Sequence, residues 1–344
     1  MTNTQNSTFL TTVESMKFYR ERVNFLLKNY YDQENALCEP LNLALFYSRR
    51  RLRATLAYWG SGIVGGIPEN ADKISMLYEI ITANYVLIDD SVIFDAGEER
   101  ANSPTPRIQY GEVAALLSAA IIQLEPIRLL PDNALLKEIF YKSARDTILG
   151  LFQEQQLADL SPNSYIDEQK ILHISRLMTG PLLAGAITSG AIISGATKSQ
   201  INALHSYAMD FGTAYQIADH ITDLMVSPES SGKDSFSDIK TNKKTIVINH
   251  ALQQLPKDSW QRAAIINAIG TVPSHKQKRE IQRILRDSGS IQHCLNLVVK
   301  LYSQAKSHLY EFPENEYYSF CMKLPDMYLK ELLESIDHSI LERV

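Results

Sequence analysis

A chain of 344 residues with 45% hydrophobic content can bury a large core, and ~100–200 residues per domain allows one large unit or two. Its 34 basic and 39 acidic residues give a net charge of −5, without the basic footprint of a nucleic-acid binder. No composition shift divides it, so one domain over 1–344 is expected, with 1–12 as a polar tail lacking the basic-then-apolar pattern of a signal peptide. Cys38, Cys294 and Cys321 are odd in number and widely spaced, which fits free thiols in a reducing cytoplasm rather than disulfides or a zinc site.

The apolar period is helical nearly throughout, and no alternating strand run stands between turn signals, so the fold class is all-α. In chain order, helices are expected over roughly 8–31, 38–60, 70–96, 108–126, 133–158, 164–193, 197–226, 242–255, 258–268, 275–286, 290–310 and 315–340. Gly65-Gly66-Ile67-Pro68, Ser103-Pro104-Thr105-Pro106, Leu130-Pro131-Asp132-Asn133 and the polar stretch Ser227 to Lys233 punctuate them. Pro181 to Ala196 is apolar but interrupted by Thr188, Ser189 and Ser194, and falls short of the ~18–20 residues of a membrane span. It reads as a buried core helix, and no transmembrane segment is expected.

Two acidic clusters carry the chemistry: Asp89-Asp90-Ser91-Val92-Ile93-Phe94-Asp95 and Asp219-His220-Ile221-Thr222-Asp223. Adjacent carboxylates repel and resist burial, so a helical core that gathers two such sets needs a cation between them, and Mg²⁺ suits their hard oxygens. Residues four apart share a helix face, which puts Phe211, Tyr215, Asp219 and Asp223 in one stripe. Tyr78, Thr82, Tyr85 and Asp89 form a similar one, with Tyr85 about one turn, or ~5 Å, below the first aspartate. Two helices facing across a cavity, metal above and apolar pocket beneath, is the implied geometry. Asp95 is ~240° around from Asp89, so it joins only if the helix bulges or ends, and Gly97 supports an ending.

Each feature has a plainer reading. One Asp pair near a helix end is ordinarily a solvated cap, and Arg49-Arg50-Arg51-Leu52-Arg53 alone is a solvated basic face. Lys276 to Arg286 reads the same way. Gly60-Ser61-Gly62-Ile63-Val64-Gly65 spells a dinucleotide fingerprint but follows no strand. His173, His205, His250, His275 and His293 lack metal-ligand spacing.

In combination, the motifs resemble the trans-isoprenyl diphosphate synthases, from about residue 40 to about 330. That family's first motif, two Asp, four residues, then Asp, followed by Arg-Arg-Gly-x-Pro-Thr, is matched by Asp89, Asp90, Asp95, Arg100, Pro104 and Thr105. Its Phe-Gln-Ile-x-Asp-Asp-x-x-Asp is similar to Tyr215 to Asp223, and the trailing Gly-Lys, Asp and Lys-Lys-Thr to Gly232-Lys233, Asp238 and Lys243-Lys244-Thr245. Its Lys-Arg-Leu-Arg resembles Arg50-Arg51-Leu52-Arg53, and its Leu-Pro-x-Asn resembles Phe312-Pro313-Glu314-Asn315.

The resemblance implies a helical bundle of the isoprenoid synthase type, and a homodimer. It implies magnesium, about three ions per site, held by Asp89, Asp95 and Asp219 with Asp90 and Asp223 supporting, gripping an allylic prenyl diphosphate. Arg100, Lys233, Lys243 and Asp238 would serve the diphosphate end, with Thr179 of Met178-Thr179-Gly180 and the amide of Gln216. Tyr215 and Phe211 would wall the cation, and Arg50 and Arg53 would hold isopentenyl diphosphate. Thr82 and Tyr85 would limit the cavity to products of about C15 to C20.

The departures are Ala101 for the second arginine, Thr82 for a common histidine, Met178 for a diphosphate lysine and His220 for the middle aspartate. Lost charge-assisted bonds, ~1.5–3 kcal/mol each, weaken mainly the second-substrate site. Three readings therefore stay open: a short-chain elongating prenyltransferase; a terpene synthase, cyclase or transferase to another acceptor on the same fold; and a noncatalytic subunit, which the retained aspartates oppose.

Overall fold

The computed structural model describes residues 11–34, 39–47, 50–91, 98–100, 103–226 and 235–336. Its helices are α1 (Thr12–Glu34), α2 (Glu39–Tyr47), α3 (Leu52–Ile63), α4 (Asp72–Asp89), α5 (Pro106–Tyr110), α6 (Glu112–Ile122), α7 (Pro126–Leu129) and α8 (Ala134–Ala158). They continue with α9 (Glu168–Ile193), α10 (Lys198–Met225), α11 (Ser237–Lys240), α12 (Ile246–Gln254), α13 (Trp260–Ala268), α14 (His275–Asp287), α15 (Ser290–Ser307) and α16 (Glu316–Ser335). A 3₁₀ turn, Pro68–Ala71, precedes α4.

The all-α expectation holds, with local corrections. The helix expected over 38–60 is two, because Arg51 at the start of α3 sits in the left-handed region (φ 51°). The one expected over 108–126 is cut by Gly111 (φ 91°), which separates α5 from α6, and by Pro126, which opens α7. The 242–255 expectation begins late: α11 is a separate turn and Thr245 caps α12. A strand pairing too short for any alternation also appears, β1 (Glu99–Arg100) antiparallel to β2 (Ser103–Pro104). Its two-residue length leaves no period to read.

The bundle is organised on α9, which packs against α3, α8 and α10 and is buried almost continuously from Thr179 to Ala191. The apolar run at Pro181 lies in a helix that passes through Pro181 itself, starts four residues later than expected and ends at Ile193 as expected. By length and composition α9 is long and apolar enough to cross a membrane, yet 72% of that window is buried inside the bundle. Close approach explains the glycine pattern. A Cβ on Gly60 would lie 2.0 Å from the carbonyl oxygen of Ile187, and one on Gly190 would lie 1.9 Å from that of Ala57. The dinucleotide-like string is thus the contact face of α3, whose Gly62 also receives the Tyr317 ring.

At the other end, α4 is pinned by Arg22, which donates two bonds to Asp72 at 2.7 and 2.6 Å, and by the Tyr58 hydroxyl, which donates to Asp72 at 2.8 Å. These contacts fix where α4 starts and so where it ends.

Gly60→Ala or Gly190→Ala should cost ~1–3 kcal/mol of stability through overpacking, exceeding the helix-propensity gain of up to ~1 kcal/mol. Urea unfolding measures it, and unchanged midpoints would mean that α3 and α9 do not touch backbone to backbone.

Candidate active site

Two helices end beside one cavity of about 270 Å³. Asp89 is the last residue of α4 and Asp90 its C-cap, while Asp219 and Asp223 lie in the last turns of α10. A helix C-terminus carries roughly half a negative charge, so these are unfavourable positions for acids and favour a cation instead. All these carboxylates line the cavity together with Arg53, Glu99, Arg100 and Lys243.

The α4 end is held by β1. Arg100 donates to Asp90 from Nη2 at 2.6 Å and from Nε at 3.1 and 3.2 Å, and its Nη2 lies 3.4 Å from Asp89 Oδ2. Arg107 Nε donates to the Asp90 carbonyl at 3.1 Å. The short strand pairing therefore places a guanidinium over two adjacent carboxylates.

At the α10 end, Asp223 accepts from Ser237 Oγ at 2.7 Å and from the backbone N–H groups of Ser237 and Asp238 at 3.0 and 3.2 Å. Burial lifts the Asp223 carboxyl to about 6, the bonds from Ser237 and Asp238 oppose the rise, and the charge of Asp219 adds to it. Thr179 Oγ1 donates to Gln216 Oε1 at 2.5 Å, and the Gln216 amide nitrogen lies 3.2 Å from His220 Nε2. Lys243 Nζ meets Glu154 of α8 at 3.1 Å, and both side chains are largely buried.

Beneath the charged rim, Thr82, Tyr85, Thr147, Leu151, Met178 and Leu182 line the cavity. The Tyr85 hydroxyl donates to the Ala144 carbonyl at 2.8 Å, so its ring bridges α4 to α8, and Thr82 donates to the Tyr78 carbonyl at 2.6 Å. Burial raises the Tyr85 phenol well above its ordinary pKa, which keeps it neutral.

The structure redistributes some expected residues. Tyr215, Asp219 and Asp223 of the α10 stripe line the cavity, but Phe211 does not. It is fully buried one layer behind, among Tyr207, Tyr215, Tyr302 and Tyr328. Arg53 lines the cavity with no hydrogen-bond partner on its buried Nε, and burial pulls its pKa below the ordinary arginine value. Arg50 instead lines a second cavity of about 250 Å³ between α10 and α16, where its Nη1 pairs with Glu331 at 2.7 Å. Asp95, Ala101 and the whole Ser227 to Lys233 loop, Asp95 and Lys233 being expected ligands, lie outside the described residues.

Among the described residues no three acid, histidine or cysteine side chains converge closely enough to hold one metal ion. The donor set is nonetheless hard oxygen, which suits Mg²⁺ rather than a soft-ligand metal. Sequence reasoning missed Glu154, Ser237, Thr147 and Leu151. The stripe logic that found Tyr85 applies equally to α8, where Thr147, Leu151 and Glu154 recur at steps of four and three.

A helical bundle whose acidic helix ends overhang an apolar well is the architecture of the isoprenoid synthases, and comparison narrows it further. The polyprenyl synthetase family model matches residues 34–287. The chain belongs to that family, which comprises trans-prenyltransferases. It is 27% identical over 300 residues to a geranylgeranyl diphosphate synthase of Saccharolobus solfataricus, covering 85% of this chain and 89% of the relative. It is 28% identical over 271 residues to a short chain isoprenyl diphosphate synthase of Methanocaldococcus jannaschii, covering 78% and 82%. The same fold occurs in a polyprenyl synthase from Caulobacter crescentus complexed with calcium and isoprenyl diphosphate, with a TM-score of 0.84 at 21% identity, over 92% of this chain and 96% of that one.

Arg100→Met should lower metal-free stability by about 2–3 kcal/mol. That is less than the ~3–5 kcal/mol of a fully buried pair, because Arg100 keeps 23% of its side chain exposed. Mg²⁺ should recover part of the loss in urea melts. No recovery would separate these carboxylates from metal binding.

Proposed function

We propose that this chain is a magnesium-dependent prenyltransferase that ionises an allylic prenyl diphosphate and condenses it with isopentenyl diphosphate to a trans product of about C15 to C20. The observation that carries this reading is the pairing of two acidic helix ends over one partly apolar cavity. A cavity crowded with carboxylates cannot bind a diphosphate directly, whereas a carboxylate-bound divalent cation reverses the sign of the site.

Asp89 and Asp219, with Asp95, would hold Mg²⁺, and Asp90 and Asp223 would support them through Arg100 and the start of α11. Bound Mg²⁺ supplies Lewis-acid stabilisation of the diphosphate leaving group. Lys243 and Arg100 stand at the rim and, together with Lys233, would share the remaining anionic charge, while Thr179 and Gln216 orient by hydrogen bonds. When the allylic C–O bond breaks, its electron pair leaves with diphosphate. Tyr215 and the apolar well face the resulting cation, exclude water and stabilise it through the ring quadrupole. The double bond of isopentenyl diphosphate then forms the new C–C bond, and the proton lost passes to the released diphosphate. Arg53, with its unpartnered Nε, is positioned for an anion.

A second reading is favoured by one observation: Arg50 lies in the other cavity, while Thr82 and Met178 face this one. With weak hold on a second diphosphate, the same ionisation would feed a lyase, a cyclase or transfer to another acceptor. A noncatalytic subunit is disfavoured by the cost of retaining clustered acids.

The chain is further proposed to act as one domain, in the cytoplasm, as a homodimer. Val113, Leu117 and Ile121 of α6 form an exposed apolar row at steps of four, and Ile148 and Phe152 of α8 are exposed as well.

Mass spectrometry after incubation with Mg²⁺ and geranyl, farnesyl or geranylgeranyl diphosphate, each with and without isopentenyl diphosphate, tests the reading. A longer diphosphate formed only with the second substrate is expected, whereas a hydrocarbon or alcohol formed without it selects the alternative. Asp89→Ala and Asp219→Ala should each cut turnover at least ~10²-fold without unfolding. Normal turnover in either would remove the metal assignment. Tyr85→Ala should open the floor and lengthen the product by at least one C5 unit, and an unchanged product would place the floor elsewhere.

A further inference from the structure

Arg50 and Arg53 leave one basic segment for two different cavities. Between them Arg51 takes a left-handed backbone, and its guanidinium is buried, with Nε donating to Asn24 at 2.8 Å and Nη1 3.2 Å from Glu79. Glu79 also accepts from the Ala54 backbone N–H at 2.9 Å. This buried anchor fixes the segment, leaving Arg53 in the wall of the main cavity and Arg50 facing α16.

Two residues of α16, one turn apart, hold Arg50 there. Its guanidinium carbon lies 5.1 Å from the centre of the Tyr328 ring, and its Nη1 lies 2.7 Å from Glu331 Oε2. The second cavity adjoins the main one, because Tyr215, Asp219 and Thr222 line both. Among the described residues lining it, Arg50 is the only cation, and Asp219 and Glu331 are both acids. A diphosphate approaching from this side therefore meets a cation already neutralised and a further carboxylate beside it.

We infer that Glu331 is a specificity-determining positioning residue, which holds Arg50 against α16 and so weakens binding of isopentenyl diphosphate relative to the allylic substrate. The inference rests on the proposed use of isopentenyl diphosphate as second substrate. Binding of that diphosphate through Arg50 requires the Glu331 pair to break. The pair is half exposed, at 54% and 44%, so its effect is that of a surface ion pair. A value of ~0.3–1 kcal/mol corresponds to roughly two- to five-fold in affinity. The allylic diphosphate, held at the opposing aspartate clusters, is insensitive to it.

The test is titration calorimetry of isopentenyl diphosphate and, separately, geranyl diphosphate into the full chain with Mg²⁺. The proteins are wild type, Glu331→Gln, Glu331→Lys, Arg50→Ala and the Arg50→Ala/Glu331→Gln double variant. Glu331→Gln should tighten isopentenyl diphosphate two- to five-fold, and Glu331→Lys, which adds a cation, about tenfold. Neither should change geranyl diphosphate. The gain from Glu331→Gln should vanish when Arg50 is absent, because the two effects couple.

Unchanged isopentenyl diphosphate affinity in Glu331→Gln, an equal gain without Arg50, or no detectable binding by either Glu331 variant would overturn the inference. Tightening without any elongated product would uphold the inference for binding and remove the elongating reading. Elongation with unchanged affinities would do the reverse.

Discussion

Electrostatic repulsion at two helix ends is the constraint around which this molecule is built. Asp89 and Asp90 end α4, and Asp219 and Asp223 sit in the last turns of α10, where the peptide dipoles already concentrate negative charge. In a protein interior such a set costs stability unless cations or N–H groups answer it. Arg100 answers at α4, and the N-terminus of α11 answers at Asp223. The strained turn at Phe236 (φ 64°) is what aims the Ser237 and Asp238 N–H groups at that carboxylate. Clusters of this kind persist where a bound cation uses them, which makes electrostatics a stronger guide to the site than cavity shape alone.

Holding like charges together requires a stiff frame, and the frame is packing. The α3 and α9 backbones touch through Gly60 and Gly190, with no side chain between them. The start of α4 is locked by Arg22 and Tyr58 on Asp72, about five turns from its acidic end. Rigid helices anchored far from the chemistry fix functional groups more closely than loops do, and the apolar floor is built on the same helices.

Legibility in the sequence followed the physics of period. Long amphipathic helices such as α8, α9 and α10 announce themselves through 3.6-residue repetition, and the opposed aspartates and Tyr85 followed from spacing on a helix face. What failed to show was anything set by chain path. The break at Arg51 depends on a buried partnership with Glu79 and Asn24, which local pattern does not encode. Phe211 shares a face with Tyr215, but the rings of Tyr302 and Tyr328 from distant helices enclose it. Arg50 and Arg53 are three residues apart and read as one patch, yet the tertiary fold sends them to separate cavities. Glu154 carries no sequence signal as a partner, since Lys243 reaches it from 89 positions away.

Under the proposed function, that last contact would join the two ends of the substrate site. Helix α8 presents Thr147 and Leu151 to the hydrocarbon well, and one turn further on its Glu154 holds the lysine at the polar rim. With a prenyl diphosphate bound as proposed, one rigid rod would touch both its tail and its head. A change in tail-wall volume that tilts α8 also moves Glu154 and, with it, Lys243. Under that reading, product length and diphosphate affinity would be mechanically linked, and an evolutionary path that lengthens the product would pass through altered headgroup binding unless a second change on α8 restores its position.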